Sequence, residues 1–235
     1  MSRLTFKFKQ FAVKQHKSPM KIGTDSVLLG AWANPKKSKS ILDIGTGTGI
    51  IALMLAQRSN AVIDAIDICP DSSEQANENF SDCKWSNRLN VYCKSVQDFS
   101  SDKKYDLIVS NPPYFPCPET HVEKSGSQAR FTHKLSFSEL ADSVVRLMSP
   151  KGKFNVIFPI HEGASFTNEA EQRKLFLTKF IWVKTTNRKK FPKRILMQFE
   201  FSRKDIPDEA ELVIEKDNKY SAEYKALTKE YYLKF

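Results

Sequence analysis

This 235-residue chain has little of what a metal centre or a covalent nucleophile would need. Its four cysteines, Cys69, Cys83, Cys93 and Cys117, include no CxxC pair, and its four histidines are scattered. That spacing excludes the usual tetrahedral zinc frameworks and argues for reduced thiols rather than a disulfide scaffold. No apolar run approaches the ~18 residues of a spanning helix. The first residues, MSRLTFKFKQ, offer no apolar segment of the kind a secretory signal uses, so the expected location is cytoplasmic. Acids are missing altogether from residues 1–21, which carry Arg3, Lys7, Lys9, Lys14, Lys17 and Lys21. What is present is positive charge: 37 Lys and Arg against 27 Asp and Glu, a formal net charge of +10. Such an excess points to a polyanionic partner.

A second basic run spans residues 184–204, where eight cations, among them Lys189, Lys190, Lys193 and Arg194, face one acid, Glu200. With Phe6, Phe8, Phe11 and Phe191 interleaved, the two runs read as one phosphate-tracking surface, provided they meet in space. Between them, strand patterns alternate with helix patterns. Strands are expected at residues 40–44, 61–67, 89–94, 105–110, 154–158, 175–184 and 195–201. Helices are expected at 24–33, opening on a hydroxyl cap, at 49–58, at 70–80 and after the Ser136-x-x-Glu139 capping box. The last two strands are too close for a parallel crossover and are read as antiparallel. The alternation predicts one α/β domain over residues 1–235, with a seven-stranded, mostly parallel sheet covered by helices on both faces.

Residues 41–49, ILDIGTGTG, run from a strand through three glycines into a helix. Glycines here permit a sharp turn and close approach to a ligand. Asp67 closes the next strand, 18 residues beyond Gly49, where a carboxylate can hold two ribose hydroxyls. Asp43, two residues before Gly45, suits a ligand with a cationic amino group. Asn111-Pro112-Pro113-Tyr114 directly follows the fourth strand. An exocyclic amine conjugated with its ring is a poor nucleophile, because its lone pair is delocalised. The side-chain oxygen of Asn111 and the carbonyl of Pro112 can each accept one N–H and push the nitrogen toward tetrahedral. Tyr114 offers a ring on which the base can stack, and Pro112 and Pro113 stiffen the turn.

DIGTGTG resembles the first motif of class I S-adenosylmethionine-dependent methyltransferases, which have a Rossmann-like fold. The resemblance implies Asp43 near the methionine end of S-adenosylmethionine, with Gly45, Gly47 and Gly49 beneath it. It also places Asp67 on the ribose and Asp98 at the adenine amino group. The NPPY string is shared by methyltransferases of adenine N6, cytosine N4, guanine N2 and a protein glutamine amide, so it names a nucleophile class only. Residues 20–33, MKIGTDSVLLGAWA, together with 41–57, 105–116, 130–135 and the tail 220–233, are similar to the bacterial tRNA(Val) adenosine-37 N6-methyltransferase family. That similarity implies a basic extension (1–38) before a catalytic core (39–235). It makes Lys21, Thr24, Asp25 and Asn111 candidates for the cofactor pocket. Pro113, Tyr114, Arg130, His133, Lys189, Lys190, Lys193 and Arg194 become candidates for substrate contact. The expected partner is tRNA, the protein acting as a monomer without metal or membrane. Alternative activities are an N6-adenine or N2-guanine methyltransferase on ribosomal RNA or DNA, a protein glutamine N5-methyltransferase, and a noncatalytic RNA-binding module.

Overall fold

The structure is a computed structural model; it describes residues 4–112 and 135–234. Pro113, Tyr114, Arg130 and His133 fall outside the described residues. The chain begins with a hairpin, β1 (Thr5–Lys7) and β2 (Ala12–Lys14), followed by helix α1 (Thr24–Trp32). Then β3 (Ser40–Ile44), α2 (Ile50–Arg58), β4 (Val62–Asp67), α3 (Pro70–Ser81), β5 (Leu89–Cys93) and β6 (Tyr105–Ser110) alternate. The second half holds α4 (Phe137–Leu147), β7 (Met148–Pro159), α5 (Ile160–Gln172), β8 (Phe176–Thr186) and β9 (Arg194–Glu200). It ends with β10 (Asp208–Lys216), β11 (Lys219–Tyr220) and α6 (Ala222–Thr228).

Strands β3 to β11 form one sheet in the order β11-β10-β8-β9-β7-β6-β3-β4-β5. All seven expected strands are in it. β9 runs antiparallel to both β7 and β8, while β3 to β7 pair in parallel. The sheet is two strands wider than expected, because β10 adds in parallel to β8 and carries β11 at the edge. Period-2 alternation sends neighbours to opposite faces. Ile41, Leu107, Val109, Ile157 and Leu196 join a core with α1 and α2. Leu42, Ile108, Val156, Phe158 and Met197 join the other core, with α4 and α5. With apolar layers on both sides, the parallel strands read as nearly continuous hydrophobic runs.

Local chemistry explains the element ends. The Ser136–Glu139 capping box forms as expected, its hydroxyl accepting from the Glu139 backbone. Helix α1 differs: its cap is Gly23, and Thr24 is already the first helical residue with no side-chain cap bond. Strand β7 begins earlier than its apolar run, since Met148 pairs with Tyr105 before the register shifts and resumes at Lys153 and Leu107. Helix α5 has no broad apolar face to announce it. Only Gly163, Phe166 and Ala170 are buried, a narrow stripe in a polar sequence.

The hairpin β1–β2 departs most from expectation. Phe8 and Phe11 are buried and stack on each other at 4.8 Å, and Phe8 also lies against Tyr232 at 6.0 Å. These rings anchor the hairpin to the core instead of facing phosphates. Lys14 pairs with Glu78 and Asp82, both at 2.8 Å, and Lys17 with Glu74 at 2.7 Å. Two of the six cations of the first basic run, Lys14 and Lys17, are therefore neutralised against α3.

Candidate active site

In an open α/β sheet, ligands bind outside the carboxyl ends of the strands where the strand order reverses. Here the chain leaves β3 outward to β4 and β5, then returns to the other side of β3 as β6. The switch point therefore lies between the ends of β3 and β6. Those ends carry the glycine loop and Asn111. Ile44 and Ser110 are the last register partners, so Gly45 and Asn111 stand at the next position on adjacent strands. The Ser110 hydroxyl donates to the Ile44 carbonyl at 2.9 Å, clamping the two ends together.

The loop is shaped by positive φ: 70° at Gly45, 57° at Gly47 and 81° at Gly49. A Cβ at Gly49 would meet Phe80 at 2.6 Å, so this glycine also lets α2 close on α3. Around Gly45 and Gly47 no protein atom would meet a Cβ, leaving an open cradle on the ligand side. Backbone N–H groups of Gly45 and Thr46 donate to the Ile66 carbonyl at 2.9 and 3.0 Å. Asn79, buried on α3, donates to the Thr48 carbonyl at 2.8 Å while its oxygen accepts from the Lys14 backbone. Sequence reasoning missed this brace, and a polar residue in an acidic helix carries no mark of it.

Two carboxylates flank the cradle. Asp43 is fully buried; its Oδ2 accepts from the Thr46 hydroxyl at 2.7 Å, and Oδ1 has no hydrogen-bond partner. Burial pushes its carboxyl up to about 7, against the lowering effects of the Thr46 hydroxyl and the Ala52 backbone N–H, and the charge of Asp67 adds to the rise. An orphaned buried carboxylate oxygen fits a cationic ammonium. Asp67 is half-buried and accepts from the Gly47 backbone at 2.8 Å and from Cys69 at 2.9 Å. Burial raises its pKa as well, while those two N–H bonds oppose the rise. Each oxygen keeps further acceptor capacity, which suits a pair of ribose hydroxyls. The cradle and both acids thus fit S-adenosylmethionine.

Asp98 is exposed beyond β5 and pairs with Ser95, its carboxylate accepting at 2.7 Å. Its loop is pinned by Arg146, which donates to the carbonyls of Phe99 and Val96 at 2.6 and 2.7 Å. Lys21 donates to the Gln15 and Ser18 carbonyls at 2.6 and 2.9 Å, closing the turn into α1. Thr24 is exposed. Asp25 pairs with Arg194 Nε at 2.7 Å. Its neighbour Ser26 accepts from Asn111 Nδ2 at 3.0 Å, a contact across 85 residues that no spacing announces. Pro112 is buried.

The hairpin between β8 and β9 keeps its charge. Arg188, Lys189, Lys190, Phe191 and Lys193 are exposed, Phe191 to 70%, and Lys190 lies over the Phe191 ring at 5.4 Å. The ion pairs of this stretch fall instead on Lys184, Arg194 and Lys204. A cleft of about 310 Å³ lined by Ile160, Trp182, Lys184, Lys190, Pro192 and Glu211 opens beside it. Because β8 lies parallel to β7, the hairpin rises from the same sheet edge as the glycine loop and Asn111.

A Rossmann-like sheet with an acid-flanked glycine cradle and an Asn-Pro turn at its switch point defines a class I methyltransferase. The family model described as "Methyltransferase small domain" matches residues 18–125. A Phocaeicola vulgatus protein named tRNA1(Val) (adenine(37)-N6)-methyltransferase is 44% identical over 229 residues, 97% of each chain. Its namesake in Trichodesmium erythraeum is 44% identical over 98% of each. The chain belongs to the tRNA1(Val) (adenine(37)-N6)-methyltransferase family. Among solved structures, a predicted O-methyltransferase of Agrobacterium tumefaciens superposes with TM-score 0.68 at 16% identity, covering 88% of this chain and 96% of that one. A putative RNA methyltransferase of Pyrococcus horikoshii does so with TM-score 0.55 at 14% identity, over 79% and 87%. At such identities these two speak for the fold alone. Among the described residues no helix is long and apolar enough to cross a membrane.

Proposed function

We propose that this protein acts inside the cell as a single-domain monomer, methylating the exocyclic N6 of adenosine 37 in tRNA1(Val). The observation that carries this reading is Asn111-Pro112 standing beside Gly45 at the switch point, in a chain with full-length relatives of that name. S-adenosylmethionine supplies an electrophilic methyl group on a cationic sulfur. Asp43 receives the ammonium of that molecule, and Asp67 holds its ribose hydroxyls. Lys21, Thr24 and Asp98 are proposed at the rim of the same pocket. Asn111 and the Pro112 carbonyl accept the two N–H bonds of the adenine amine and turn its lone pair outward. Tyr114 stacks on the base, with Pro113 stiffening the turn and Arg130 reaching the RNA. Lys189, Lys190 and Lys193 track phosphates. The target base must leave its stack, which costs less in an anticodon loop than in a duplex.

The test is methylation of tRNA from a strain lacking this gene, followed by nucleoside analysis. The reading expects N6-methyladenosine; N2-methylguanosine would replace it with the guanine alternative. Asn111→Ala should lower the single-turnover rate by ~10²–10³, as for loss of one preorganised polar contact, with both affinities nearly unchanged. A variant with native melting and near-native turnover would remove Asn111 from the chemistry.

A further inference from the structure

A side-chain amide has two arms of similar shape and opposite hydrogen-bonding sense. An Asn that accepts a substrate N–H must present oxygen; rotated by a half-turn it presents a second donor and repels the amine. Something must therefore hold the amide of Asn111 one way round. Asn111 Nδ2 donates to Ser26 Oγ at 3.0 Å, which places nitrogen toward α1 and oxygen on the opposite arm.

Ser26 is well suited to hold that arm. It is followed in α1 by Val27, Leu28 and Leu29, all essentially fully buried, so its position along the helix is locked by packing. Gly30 lets α1 sit tightly on α2, since a Cβ there would meet Met54 at 2.7 Å. Asp25, the residue before Ser26, is bound by Arg194 Nε at 2.7 Å, and Arg194 opens β9, the strand paired with β7. The first turn of α1 is thus tied to the sheet through one side chain and to the amine-acceptor motif through the next. A functional group held within a fraction of an ångström needs such supports on rigid elements.

We propose that Ser26 is a positioning residue that sets the amide of Asn111 with Oδ1 toward the acceptor amine, and that the Arg194–Asp25 pair steadies the turn carrying it. This deepens the amine-methylation reading above and rests on it for the identity of the amine. Arg194 then serves the geometry of Asn111 more than the capture of phosphate, unlike its neighbours Lys189, Lys190 and Lys193.

Two measurements test the proposal. The first needs no substrate: amide-proton exchange of the Asn111 side chain, assigned in ¹⁵N spectra by its absence from Asn111→Ala. Ser26→Ala should speed exchange by about 2- to 10-fold, the range of one net hydrogen bond, and Ser26→Thr should retain the native value. Unchanged exchange in Ser26→Ala overturns the contact. The second is single-turnover methylation of tRNA. Ser26→Ala should slow it by roughly 10-fold with cofactor and tRNA affinities native, Ser26→Thr should recover most of the rate, and Ser26→Ala/Asn111→Ala should be no slower than Asn111→Ala alone. Losses that multiply in the double variant would overturn the proposal. So would a faster Ser26→Ala, because a hydroxyl that donated to Oδ1 would compete with the substrate. Wild-type protein that leaves tRNA adenosine unmethylated would defeat the adenosine reading instead, and the exchange measurement would still decide the role of Ser26.

Discussion

The two halves of the sheet on either side of the β3–β6 seam use similar raw material differently. On the β3-β4-β5 side, the basic N-terminal run lies over α3, where Lys14 and Lys17 are taken up by Glu74, Glu78 and Asp82. On the β7-β9-β8 side, a run of the same character projects as a hairpin whose Lys189, Lys190 and Lys193 stay exposed. The phenylalanines part in the same way: Phe8 and Phe11 are buried, whereas Phe191 is 70% exposed. A cation counts toward polyanion binding only if no nearer carboxylate claims it, and that depends on what the fold sets beside it. On the proposed reading, the first half holds a small cationic ligand between Asp43 and Asp67 and the second meets an anionic surface, with Asn111 at the seam.

Three variants probe this division. The largest effect belongs to Asp67→Ala, which should weaken S-adenosylmethionine binding by about 10- to 150-fold, as for hydrogen bonds to a charged group, and leave tRNA affinity native. Calorimetric titration showing equal affinity for the two proteins would break the assignment of the first half. Next comes the hairpin. Neutralising Arg188, Lys189, Lys190 and Lys193 should flatten the slope of log K for tRNA against log salt by about 3, at ~0.7 per contact for a single strand. Over 50–200 mM salt the wild type should then lose about 50-fold more affinity than the variant. Lys14→Ala serves as the contrast: it should leave that slope unchanged and lower the melting temperature. A Lys14→Ala slope as flat as the hairpin variant's would erase the comparison.

The smallest effect is a pH dependence at Asp43. Burial pushes its folded carboxyl up to about 7 from the ordinary value of 3.8. Between those limits the native state binds more protons than the unfolded one, so this group lowers the stability of the free protein as pH rises from 4 to 7. An ammonium ligand needs the ionised form, so its binding releases the proton. Affinity for S-adenosylmethionine should therefore rise by up to about tenfold per pH unit below 7 and level off above it. Asp43→Asn should abolish the slope. A wild-type profile flat from pH 6 to 8 would show that the ligand does not meet this carboxylate.

The parts legible in advance were those with a local signature. The seven strands, the glycine loop, Asp43, Asp67 and the Asn111-Pro112 turn all lie where period, glycine spacing and proline put them. Helix α5 went unread because three small or aromatic contacts suffice to bury it, and β10 because a strand next to the sheet edge, with only Leu212 buried, needs little apolar patterning. The capping role expected at Thr24 passed to Gly23, since the chain enters α1 one residue earlier. The functions of Asn79, Arg146 and Ser26 were invisible for a common reason. Each acts through a polar side chain on a partner between 31 and 85 residues away.

By itself the sequence determined the fold class, because strand period, glycine at positive φ and proline-stiffened turns are written into consecutive residues, and its resemblance to a known family, carried by contiguous motifs, supplied the family and the acceptor chemistry. Only the tertiary structure decided which basic run faces solvent, which carboxylate oxygen is left without a partner and which hydroxyl holds the Asn111 amide. Those are questions of proximity between side chains far apart in the chain, and burial, which sets both charge availability and the pKa of Asp43, exists only once the chain has closed on itself.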